Sequence, residues 1–478
     1  MRTASVVLPL LVAGVAAVAS AACSTPAPRA SPAPVVASSA GPAPSGWSHV
    51  VTADAQARSL AIEASFDAGN GDLFRVDADA TPFVSDVTRQ TAAGWEPVPR
   101  QDDGWLAPCA AGCRLRYRFG LASAARALDD VDLARLTGDA VLGSPAAWLL
   151  RPAQVSPARP WTMRVAGAPF VTGITSSDGA FVAATDDLPE APYSGFGAFR
   201  RRTLVTPHGS IELAIAPQSF TLGDEALAAW VRGAATRVGG YFGRLPVASA
   251  VVFLVGSPGH GVAYGRTLGN GGAGIVIEVG TSISDDEIRD DWVMNHELLH
   301  LGFPTMPAEH SWIEEGIATY VEPLLRARAG TLPAAEVWAD FVERMPQGQP
   351  APDDQGLDHT PTWGRTYWGG AAFCLQADVL IRERSRGRHS LDDALRAIVA
   401  AGGTVARRWP LAQALALGDQ ATGTHVLEEL HTQYGDRPAP FALDALWGKL
   451  GVVARRGGGV SLDERAPLAS VRRAITGR

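Results

Sequence analysis

Lysine is nearly absent from this chain of 478 residues, and no cluster of arginines is dense enough to form a phosphate-binding stripe. The formal charge of −8 adds to the case against a nucleic-acid partner. The uncharged apolar run from Val6 to Ala19 is too short, and wrongly flanked, for a stable membrane span. No internal repeat is found, which sets aside a solenoid or propeller. Hydrophobic residues make up 46% and charged residues 19%, the balance of an ordinary globular protein, and the length accommodates two or three domains. The abundance of Ala, Gly, Pro and Arg is a compositional habit without functional content.

The first residues have the form of an export leader. Arg2 gives a short positive start, Val6 to Ala19 is the apolar stretch, and small residues follow. The run ends in Ala19-Ser20-Ala21-Ala22-Cys23, which resembles a bacterial lipoprotein processing site. The resemblance implies a signal peptide over 1–22, cleavage before Cys23 and a lipid on its sulfur. The protein is then a periplasmic or cell-envelope lipoprotein anchored to the membrane through Cys23; the alternative is a soluble secreted protein cut after an Ala-x-Ala-like site. Residues 23–47 are mostly Ala, Pro, Ser and Gly and read as a tether. Cys109 and Cys113 are close enough for a small loop disulfide, as an oxidising compartment allows. Cys374 lies in an apolar helical stretch and reads as a buried thiol.

Residues 48–215 alternate apolar and polar side chains in short runs, such as Leu115 to Phe119, separated by turn residues such as Asp178-Gly179. A β-rich accessory domain is expected there. Helical spacing begins at Asp224, where Leu227, Trp230, Val231 and Val238 recur on one side. Strands are expected near Val247 to Val255 and Ile275 to Val279, and mostly helix from Ser284 to about residue 435. The expected division is a catalytic domain over 216–400 and a helical C-terminal region over 401–478.

The chemistry is concentrated in Asp291-Trp-Val-Met-Asn-His296-Glu297-Leu-Leu-His300-Leu-Gly302. Histidines four apart lie on one helix face, so both imidazoles can reach one tetrahedral Zn²⁺, with Glu297 beside them to take a proton from water. A capping box at Ser284 to Glu287 would start this helix, and Gly302 with Pro304 would end it. A third ligand is expected from the next helix, where Glu314 and Glu315 compete. Ser311 and Glu314 form a second possible capping box, which would occupy Glu314; periodicity alone does not favour Glu315. Tyr367 opens a further helical stretch and can donate a hydrogen bond to an oxyanion.

Together these residues resemble the gluzincin peptidases, in which His-Glu-x-x-His precedes a helix bearing Trp-x-x-Glu-Gly-x-x-x-Tyr. Here that segment is Trp312-Ile-Glu-Glu315-Gly316-Ile-Ala-Thr-Tyr320. The chain is similar in particular to the glycyl aminopeptidase family, through Tyr367-Trp-Gly-Gly370, Ile381-Arg382 and Ser390-Leu-Asp-Asp393. The resemblance implies an α+β architecture: an N-terminal β-rich domain, then a thermolysin-like, mostly helical catalytic domain with a small sheet. It implies one Zn²⁺ per chain held by His296, His300 and Glu315, Glu297 as general base and Tyr367 as the transition-state tyrosine. The substrate would be a peptide or protein. The competing reading is a non-catalytic zinc-binding envelope lipoprotein acting as scaffold or chaperone. The family's Gly-Gly-x-Glu segment is replaced by the stretch from Gly269 to Glu278. Glu278 is read as a solvent-facing strand residue rather than a ligand for a substrate amine. The strand Ile275 to Val279 is expected to be an exposed edge that pairs with substrate.

Overall fold

The computed structural model describes residues 46–102, 104–154 and 159–477. The leader, most of the tether and the lipidation candidate Cys23 lie outside the described residues. None of the described helices is long and apolar enough to cross a membrane.

The N-terminal part is sheet-rich, as the alternation requires. In Cys113–Phe119 the side chains of Leu115, Tyr117 and Phe119 are buried while Arg114, Arg116 and Arg118 face out. The strands Trp47–Ala53 and Leu60–Phe66 show the same alternation, and the three lie side by side in an eight-stranded sheet. Beneath it, Trp47, Trp148, Trp161 and Phe196 form part of a separate apolar cluster. His49 is sealed within that cluster. Its Nδ1 accepts from the Trp161 indole at 2.9 Å and its Nε2 donates to the Leu150 carbonyl at 3.0 Å. Burial, only partly offset by that carbonyl, lowers its pKa to about 4. Cys109 and Cys113 form a disulfide, and Cys374 is a buried thiol.

A second, five-stranded sheet positions the site. Its order is Arg200–Thr206, Gly209–Ile215, Val251–Ser257, Gly274–Gly280, Val262–Leu268. The first two strands fall within the stretch read as accessory, yet Gly209–Ile215 pairs in parallel with Val251–Ser257. Gly274–Gly280 is interior, between Val251–Ser257 and the antiparallel strand Val262–Leu268. This corrects the expected substrate-pairing edge: Ile275 to Val279 is covered on both sides, and Val262–Leu268 is the edge. Helices dominate from Asp285 onward, and one continuous apolar core runs from Leu204 on the sheet to Ile475 in the last helix. The expected α+β architecture, sheet-rich first and helical later, is observed.

Candidate active site

Both histidines come from one short element. The helix Val293–Leu299 buries Met294, Leu298 and Leu299, and His300 follows in a 3₁₀ turn, His300–Gly302. Its start differs from expectation. The Ser284 capping box is present but caps a separate helix, Asp285–Asp290. The chain then turns extended at Asp291, whose carboxylate accepts the N–H groups of Val293 at 3.0 Å and Met294 at 3.1 Å. Gly302 ends the segment where the Phe242 ring leaves no space for a Cβ.

Glu315 lies on the helix Ser311–Arg328. Its Oε2 is 3.1 Å from His296 Nε2 and 3.7 Å from His300 Nε2. One ligand atom from each of the three residues falls within 4.8 Å of the others. Burial works against the Glu315 charge, but the imidazoles of His300 and His296 outweigh it and hold the carboxyl at about 2. Two imidazole nitrogens and one carboxylate oxygen, with an open side, are the donor set of a catalytic zinc centre. Among the described residues no arginine or lysine pairs with Glu315. The geometry therefore fits a cation.

The motif around Glu315 has a packing logic. The indole of buried Trp312 donates to Asp358 at 2.7 Å, and the Tyr320 hydroxyl donates to Asp378 at 3.0 Å. Gly316 touches the backbone of Gly370, so a side chain there would separate the Glu315 helix from the segment bearing Tyr367. Glu314 is not engaged in a capping box, which corrects the argument used to set it aside. The turn Ala308–His310 runs straight into the helix, and no side chain caps its start. The Glu314 carboxylate instead lines a cavity, and burial raises its pKa to about 8.

Glu297 is fixed by the edge strand. The Thr267 hydroxyl is 2.8 Å from its Oε2 and 2.9 Å from its backbone carbonyl. Gly265 leaves the room: a Cβ there would lie 2.7 Å from Glu297 Cγ and 3.0 Å from Oε1. Burial is the main cause that raises the Glu297 carboxyl to about 7. Neither Thr267 nor Gly265 carries a signal in the sequence. Asn295, also unforeseen, accepts from Arg237 at 3.0 Å and donates to buried Glu322 at 3.3 Å, bracing the helix from behind.

Tyr367 lies in a π-helical turn, Gly364–Gly369, between Trp363 and His296, with ring centroids 5.7 and 6.2 Å away. Such turns are frequent at functional sites. Burial first, then the Glu315 and Glu297 charges, raise the pKa of the Tyr367 phenol. Two cavities flank the ring. One of about 460 Å³ is lined by Glu190, Arg266, Glu297, His300 and Glu314; the other, of about 380 Å³, by Trp292, His296, Trp363 and Trp368. Glu278 is in neither, since it pairs with Arg135 at 2.7 Å. His359 pairs with Asp436, and the His389 N–H donates to Ser385.

No family model and no curated protein sequence matches the chain. Solved structures do. An aminopeptidase N family protein from Idiomarina loihiensis superposes with a TM-score of 0.64 at 13% identity, covering 88% of this chain and 82% of that one. An M1 zinc metallopeptidase from Deinococcus radiodurans gives 0.52 at 16% identity, covering 83% and 94%. A two-domain M1 zinc metallopeptidase solved with L-arginine gives 0.51 at 16% identity, covering 83% and 95%. The chain thus has the gluzincin peptidase fold, the fold of the M1 zinc metallopeptidases.

Proposed function

We propose that this protein is a zinc-dependent peptidase, with zinc held by His296, His300 and Glu315. The convergence of these three side chains beside Glu297 and the edge strand Val262–Leu268 carries the reading. Zinc in such a site supplies a Lewis acid that brings water ionisation near neutrality and polarises a carbonyl. Glu297, with Oε2 tied to Thr267, presents Oε1 to take a proton from the attacking water and return it to the leaving amine. The Tyr367 hydroxyl donates to the oxyanion as it forms. An extended peptide lies along Val262–Leu268 by strand addition and places its side chains in the two cavities. The fold shared with M1 zinc metallopeptidases supports this reading, and no observation favours a non-catalytic scaffold.

The test is hydrolysis of a diverse peptide mixture by protein stripped with a chelator and then reloaded. Cleavage that disappears on stripping and returns with zinc is expected. Cleavage that ignores the chelator would contradict the assignment.

We further propose that the protein works outside the cytoplasm, anchored through Cys23. The leader, the tether and the Cys109–Cys113 disulfide support this. Cys23→Ser is expected to move the protein from the membrane fraction to the soluble fraction. An unchanged distribution would contradict the anchor.

A further inference from the structure

Two other groups of potential metal ligands come together among the described residues. One, Asp419 with His425 and Glu428, is a helix cap: the Asp419 carboxylate accepts the N–H groups of Leu427 and Glu428, each at 3.0 Å. The other is built differently. His310 comes from the turn ahead of the Glu315 helix, Asp358 from the loop at 349–362, and His431 from the helix Val426–Tyr434. His310 Nδ1 is 3.0 Å from Asp358 Oδ1, His431 Nε2 is 2.8 Å from Asp358 Oδ2, and one ligand atom from each falls within 4.8 Å of the others.

Three further observations bear on this cluster. Asp358 is buried at 8% exposure, and among the described residues no arginine or lysine pairs with it. The Trp312 indole donates to Oδ1 at 2.7 Å, which fixes the plane of the carboxylate. Gly435 packs against the cluster: a Cβ there would lie 2.8 Å from His431 Nε2 and 2.9 Å from Asp358 Oδ2.

We propose that His310, Asp358 and His431 form a second cation site, distinct from the one at His296, His300 and Glu315. Two imidazole nitrogens and one carboxylate suit zinc or a similar transition ion, and do not suit calcium or magnesium, which take oxygen ligands. The indole of Trp312 acts as the outer-shell partner that orients the carboxylate. Trp312 lies three residues before Glu315 on one helix, so an ion here ties the start of that helix to the C-terminal helices. The site is structural and holds the Glu315 segment in place.

The alternative is a clamp in which the two imidazoles donate hydrogen bonds to Asp358. Zinc counting separates the two. The full chain is stripped with chelator, given a small excess of zinc alone, desalted and analysed by mass spectrometry of the metal. Two zinc ions per wild-type chain are expected, and one each in His431→Gln, His310→Gln and His296→Ala. The glutamines keep a hydrogen-bond donor for Asp358, so a simple clamp tolerates them. The second equivalent should raise the unfolding midpoint of wild type and leave that of His431→Gln unmoved, while in His296→Ala the single equivalent, bound here, should raise it. Equal zinc content in wild type, His310→Gln and His431→Gln would overturn the proposal. So would a wild-type count of one that falls to none in His296→Ala. A count of one that survives His296→Ala and is lost in His431→Gln would keep this site and remove the basis for the peptidase reading.

Discussion

Glu297 is placed by two residues of one strand about thirty positions earlier in the chain. Thr267 ties one carboxylate oxygen, and Gly265 allows the side chain to lie against the strand. Thr267→Val removes the donor and keeps the shape. It is expected to lower kcat about tenfold, with KM and zinc content unchanged. Gly265→Ala should displace the carboxylate and cost more, again with zinc retained. Loss of zinc in either variant would show that these residues serve the metal rather than the base. At this scale the sequence was partly legible. His296, Glu297 and His300 can be read because helical spacing is local, so their shared face follows from their numbers. Thr267 and Gly265 cannot, because their meeting with Glu297 exists only once strand and helix pack. Glu315 and Glu314 are neighbours, and what they face decides between them: Glu315 meets the two imidazoles, while Glu314 lines the cavity beside them.

Among the elements, the helix that carries His296 and leads into His300 spans only Val293–Leu299, too short to be stable alone. Its cap at Asp291 and its buried face hold it. Asp291→Ala should cost about 1 kcal/mol of stability, measured by denaturant unfolding. The contact between the Glu315 helix and Gly370 is tighter. Gly316→Ala places a methyl group against that backbone and should destabilise by about 2 kcal/mol or more, with weakened zinc retention. An unchanged unfolding midpoint and zinc content would show that the two helices can part at no cost. The helices and the interior strand Gly274–Gly280 were legible because their patterns are strong. The edge strand Val262–Leu268 was not. Its Gly, Arg and Thr residues resemble a loop, and pairing with Gly274–Gly280 makes it a strand. Of the two expected capping boxes only that at Ser284 forms. It starts a different helix, and at the other a preceding turn leaves no free helix end to cap.

Across the whole molecule, the sequence shows a β-rich first part and a helical later part, but not how the strands are shared. Arg200–Thr206 and Gly209–Ile215 look like their N-terminal neighbours and differ only in their pairing partners. The N-terminal part also carries a pH dependence. His49 is buried neutral, with a pKa of about 4 against 6.5 when exposed. The unfolded chain therefore binds the proton more tightly, and stability is lost as pH falls from 6.5 toward 4. Unfolding free energy is expected to drop by about 2 kcal/mol between pH 7 and pH 5 from this residue, and His49→Asn should remove that component. For the central claim, the most direct measurement is zinc content together with cleavage of a diverse peptide mixture, for wild type beside Glu297→Gln. The account predicts equal zinc in both proteins and a loss of turnover of at least about 100-fold in the variant. Full activity in Glu297→Gln, or a folded wild-type protein that binds no zinc, would contradict it.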